Sequence, residues 1–131
     1  MKMSDEVIQL LNSKESLKVL TTISADGIPH SIAVGSMSAP DSETLCVAEI
    51  FMKTTKNNLA ANENVAVLAV KGPESYLVNA TVIKRQVEGD LFDKLSEQMK
   101  KANLPMHALW LLQPTAVFDQ SPGPNAGKKY S

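Results

Sequence analysis

The chain has 131 residues, of which 44 % are hydrophobic and 21 % charged. That length fits one domain, and that apolar content excludes a largely disordered chain. Thirteen Lys and Arg against fourteen Asp and Glu leave a formal charge of −1, so nothing draws the chain generally to nucleic acid or an acidic membrane, and any anion must be held locally.

Ser4 followed by Asp5 and Glu6 predicts a helix over residues 4–14, because a side-chain oxygen caps the first amides and the acids suit the positive helix end. Val7, Ile8, Leu10 and Leu11 give it an apolar face. Residues 17–24 alternate with strand spacing, Asp26-Gly27 makes a hairpin turn, and residues 28–37 are the return strand. Residues 38–42 read as a loop and residues 44–50 as a third, mostly buried strand.

Residues 52–63 turn helical, with Thr54 or Thr55 as the cap. Residues 64–70 and 76–86 are strands around a turn at Lys71-Gly72-Pro73. Asp90 caps a helix that turns Leu91, Phe92, Leu95 and Met99 inward, and Pro105 ends it. Residues 108–112 and 115–118 are the last strand material. The Pro- and Gly-rich tail, 119–131, cannot form regular structure alone. The expected fold is mainly β: a six-stranded, mostly antiparallel barrel with two or three flanking helices, in one domain over residues 1–118.

The single Cys46 excludes an intramolecular disulfide and a Cys-rich metal site, and a reducing, cytoplasmic setting is expected. Asp5 and Glu6 stand where a signal peptide needs its apolar run. The longest uncharged run, 102–118, is broken by Asn103, Pro105, His107, Gln113 and Pro114, so no membrane span is expected. The glycines, at 27, 35, 72, 89, 123 and 127, make no dinucleotide or P-loop pattern. His30 and His107 are isolated in sequence, and no side chain stands out as a general acid or base.

The informative stretch is Ala48-Glu49-Ile50-Phe51-Met52-Lys53-Thr54-Thr55-Lys56. A strand runs into a helix start flanked by two lysines and two threonines. Free amides, hydroxyls and ammonium groups together suit a phosphate there, although a capped surface helix with solvated lysines has the same local sequence.

In its order of elements, the chain from 5 to 118 resembles the flavin-binding split-barrel family. That family holds the pyridoxamine-phosphate-oxidase-like proteins and the small bacterial FMN-binding proteins. The resemblance rests on Leu17-Lys18-Val19-Leu20-Thr21-Thr22 with Asp26-Gly27-Ile28-Pro29-His30, and on Met52-Lys53-Thr54-Thr55 running through Asn58-Leu59 to Asn62-Glu63-Asn64-Val65. It implies that Lys53, Thr54, Thr55 and Lys56, after Met52, hold the phosphate of FMN. It implies that the ring lies against Ala33, Val34, Gly35 and Ser36 and against Ala48, Glu49, Ile50 and Phe51. It also implies a homodimer with a flavin site at each interface, and a small-molecule or protein redox partner. Vitamin B6 oxidases of the family carry an Arg-Lys pair where this chain has Thr54-Thr55, and end in an Arg/His motif where this one has Gly127-Lys128-Lys129-Tyr130-Ser131.

The expected function is therefore an FMN-dependent oxidoreductase or flavin electron carrier that does not oxidise vitamin B6. The alternatives are a flavin or tetrapyrrole carrier without turnover, a deazaflavin-dependent reductase on the same barrel, and a cofactor-free interaction module. For the tail, a solvated end competes with a strap over the partner's flavin.

Overall fold

The Ser4 side chain accepts from the Val7 amide and opens helix α1 (Asp5–Asn12), which buries Val7, Leu10 and Leu11. The computed structural model describes residues 1–130. After α1 come β1 (Leu17–Ile23), β2 (Pro29–Ala33), β3 (Ser38–Asp41), β4 (Thr44–Glu49) and α2 (Thr54–Ala61). Then follow β5 (Asn64–Lys71), β6 (Glu74–Gln86), α3 (Asp90–Lys101), β7 (Ala108–Asp119) and β8 (Lys128–Lys129).

All eight strands belong to one sheet of order β2-β1-β5-β6-β7-β4-β3, with β8 added to β7, and every pairing is antiparallel. The two ends of the path, β2 and β3, are consecutive in the chain. The sheet therefore curls until its ends meet through residues 34–37, which makes a split barrel. Leu20, Met37, Leu45, Val67, Val78, Leu112 and Val117 fill the interior, and Leu11 plugs it from α1. Among the described residues no helix is long and apolar enough to cross a membrane.

Two short strands raise the expected count from six to eight. The stretch 28–37 is not one strand: β2 stops at Ala33, and the chain bends at Gly35-Ser36. The expected 38–42 loop is mostly β3, which leaves β2's neighbour and pairs with β4 instead. The Asn12 side chain secures that crossing, accepting from the Ala39 amide at 2.8 Å and donating to its carbonyl at 3.0 Å. In β1 the buried set is Lys18, Leu20 and Thr22. Lys18 enters the interior because its ammonium donates to the Ser13 carbonyl at the end of α1, and burial pushes its pKa down.

Pro114 stays within β7 because it sits at a bulge, where Ala80 pairs with it and the register shifts past Thr115. The tail also finds order. The Tyr130 amide donates to the Val117 carbonyl at 2.6 Å, and its ring stacks on Tyr76 at 5.0 Å between centroids. Residues 119–130 thus fold back on their own chain through β8 and Tyr130, with residues 122–130 still exposed. Burial, the largest effect, and the nearby Tyr130 push the Tyr76 phenol up to about 12.

Two neighbouring strand leucines should separate burial from composition. Leu20 is fully buried and Leu17 is 55 % exposed. Urea unfolding of Leu20→Ala should show a loss of about 2–5 kcal/mol, whereas Leu17→Ala should lie within about 0.5 kcal/mol of the parent.

Candidate functional site

Strand parity divides the candidate residues between two hollows. Successive side chains of β4 point to opposite faces, so Ala48 lines a groove of about 720 Å³ while Glu49 lines a recess of about 440 Å³. The 50–53 loop forms a wall common to both.

The groove runs between the β2–β3 crossing, the end of β4, the first turn of α2 and the last turn of α3. Ala33, Val34, Gly35, Ser36, Ala48, Ile50, Phe51, Met52, Lys53, Thr54 and Thr55 line it. Glu49 and Lys56 do not; they face the recess. Ser36 fixes the wall, its hydroxyl lying 3.3 Å from both the amide and the carbonyl of Ala48. A Cβ added at Gly35 would meet nothing within 4 Å, so the bend leaves open space there. Phe51 stands 76 % exposed at the rim.

Neither threonine caps α2. The N-cap is Lys53, and no side chain satisfies the first amides. These amides therefore keep their donor capacity and the positive end of the helix dipole. Thr55 is the second helical residue, 1 % exposed, and its hydroxyl oxygen has no hydrogen-bond partner among the described residues. A buried hydroxyl is seldom left unpaired, and this one lies at the start of the helix beside the groove. Asn58 holds the helix in place, donating to Thr22 on β1 at 3.1 Å. An anionic group with several acceptor oxygens fits this corner.

Glu49 is 3 % exposed and paired on every side. Its carboxylate accepts two hydrogen bonds from Arg85 at 3.0 Å and one from the Trp110 indole at 2.9 Å, with the Lys56 ammonium at 4.0 Å. The Arg85 bonds, then the Trp110 bond, hold its carboxyl below the usual range against the opposing effect of burial. The same bonds raise Arg85.

Several groove residues were not singled out by their sequence. His30 and Ile32 reach it from β2, and Gln98, Met99, Ala102 and Leu104 from the end of α3. The alternation of β2 already places His30, Ile32 and Val34 on one face. The α3 contribution carries no such signal. Its expected inward residues, Leu91, Phe92, Leu95 and Met99, are only half-buried, because the helix sits at the groove rim and not over the core. Its N-cap is Gly89, at φ +107°, a conformation that favours glycine; Asp90 follows as the first helical residue.

An antiparallel barrel curled on itself, with an apolar groove ending at an uncapped helix start, defines a small split-barrel protein with an open groove at its side. The chain belongs to the pyridoxamine 5'-phosphate oxidase family, whose model matches residues 3–121. No curated protein matches the sequence. HupZ of Group A Streptococcus is similar at 22 % identity, over 95 % of this chain and 99 % of that one, with a TM-score of 0.81. An FMN-binding protein from Syntrophomonas wolfei shares 14 % identity over 87 % of this chain and 83 % of its own, at 0.77. HutZ, the heme storage protein from Vibrio cholerae, shares 17 % over 92 % and 97 %, at 0.64. At these identities the likeness is one of fold.

Because the Glu49 pKa is depressed, its pairing contributes stability above the ordinary carboxylate range and loses it as pH falls through the lowered value. Arg85→Met leaves the carboxylate buried with fewer partners and should cost about 1–3 kcal/mol at neutral pH. Without Arg85 burial pushes the Glu49 carboxyl up, so its protonation in the variant should narrow that gap as pH falls through the carboxylate range. Urea titrations of both proteins across this range check it; a gap that does not change with pH contradicts the assignment.

Proposed function

We propose that the protein is an FMN-dependent oxidoreductase or flavin electron-transfer protein that works as a homodimer with a flavin site at each interface. The observation that carries this reading is the buried, unpartnered Thr55 hydroxyl at the uncapped start of α2, at the edge of a large apolar groove. The hydroxyls of Thr54 and Thr55 donate to the phosphate, and the Lys53 ammonium balances its charge. The small side chains of Ala33, Gly35 and Ala48 leave a flat wall for the ring, and Ile50 and Met52 shield it from water. FMN supplies hydride or single-electron transfer when bound, while the protein orients and tunes it. Lys56 faces the recess on the other side of the 50–53 loop and does not join this phosphate set.

Family membership and the neighbour named an FMN-binding protein support the cofactor. The exposed Phe51 on the rim and the half-buried apolar face of α3 support a second subunit as the missing cover. The redox partner is a small molecule or a protein, in a reducing, cytoplasmic setting. Thr54-Thr55 in place of a basic pair argues against vitamin B6 oxidation.

One observation favours a second reading. His30 stands on the groove wall among apolar residues, and an imidazole in an apolar slot also suits a tetrapyrrole. The neighbour named a heme storage protein supports it. The visible spectrum separates the two: a flavin band bleached by dithionite against an intense tetrapyrrole band lost in His30→Ala.

Replacing Thr54 and Thr55 together by Val removes two donors to a charged acceptor, each worth about 1.5–3 kcal/mol, so FMN should bind more than tenfold more weakly. Riboflavin, which lacks the phosphate, should be affected far less; equal losses overturn the phosphate assignment. Light scattering of the FMN-loaded protein should give a dimer mass, and a monomer mass with flavin bound refutes the interface site.

A further inference from the structure

The recess beyond the 50–53 loop shares that loop with the flavin groove, but Glu49, Lys56, Arg85 and His107 line it alone. It encloses about 440 Å³ and gathers Lys53, Lys56, Arg85 and His107 around one carboxylate, that of Glu49. Arg85 takes up the Glu49 charge through two hydrogen bonds. The charge of Lys56 then leaves the recess positive even with Lys53 assigned to the groove, on a chain whose overall charge is −1.

The recess is built, not merely basic. Guanidinium has five N–H donors, and Glu49 engages Nε and Nη2, so the remaining donors have no partner among the described residues. The Glu49 side chain is only 4 % exposed whereas that of Arg85 is 38 % exposed. The clamp is therefore buried while the remaining donors reach solvent. His107 is fixed by the same residue, its amide donating to the Glu49 carbonyl at 2.8 Å. A forked guanidinium beside ammonium groups matches a tetrahedral dianion. The volume exceeds that of a bare phosphate, and Ile50 and Met52 offer apolar surface to whatever carries it.

We propose that this recess is a binding site for a small phosphate monoester, separate from the groove. It stands whether or not the groove takes FMN. Occupancy would press on the 50–53 loop, which the groove shares, so the two sites sense each other through one wall.

The chain has a single tryptophan, Trp110, whose indole nitrogen lies 2.9 Å from Glu49. Its fluorescence can therefore follow inorganic phosphate and phenyl phosphate added to the full-length protein. We expect saturable binding of both in the millimolar range or tighter, with phenyl phosphate the tighter. Lys56→Gln with His107→Gln, both side chains on the surface, should weaken it about fivefold or more, since hydrogen bonds to charged groups are lost. Arg85→Lys keeps the charge beside Glu49 but removes the fork, and should weaken it also. Thr54→Val with Thr55→Val should leave it unchanged. Absence of saturable binding overturns the proposal. So does loss in the threonine pair alone, since that makes the anion a ligand of the groove.

Discussion

A carboxylate cannot be taken out of water unless its charge is met, and the buried Glu49 organises this molecule around that requirement. It ends β4, and its partners stand on β6 and β7, so three adjacent strands are held at one point. Its carbonyl accepts from the amide of His107, just ahead of β7. The loop that follows Glu49 must therefore leave the barrel at a fixed place. That loop separates the groove from the recess and delivers the chain to the start of α2. Both hollows take their position from one ion pair.

The start of α2 bears the opposite condition. There a helix begins with Lys53 at the cap position and no side chain to satisfy its amides. An ordinary surface helix would correct this with Ser or Asp at that position, at a gain of about 1 kcal/mol. Instead the hydroxyls lie just inside the helix, and one of them is buried without a partner. Local stability is forgone where an anion would restore it, a pattern typical of functional sites.

Much of the architecture was legible because local chemistry and global position agree. Ser4 caps α1, β1 and β5 alternate, and Gly72 turns a hairpin at φ +58°. The order of elements was enough to identify the split barrel. Parity within β4 could have turned Glu49 away from Ala48, yet its partner Arg85 lies 36 residues on, and no local pattern announces such a pair. The break at Gly35 was hidden because residues 28–37 keep strand composition on both sides of it. The face of α3 was read as inward from its periodicity, which reports amphipathicity and not what the apolar side meets. The order of the tail depends on Tyr76, more than fifty residues earlier in sequence.

The pairing of β4 with β7, Leu45 opposite Leu112 in its register, sets the schedule on which the chain can be made. A ribosome releases β4 long before it releases β7. During that interval an apolar strand, buried from Leu45 to Glu49 in the finished protein, has β3 on one side and nothing on the other. An open edge of this kind is a template for pairing with a neighbouring nascent chain. Closing so distant a contact is slow as well, because the loop entropy is lost before the sheet repays it. The exposed flank of β4 is thus covered only once the second half of the sequence has been made.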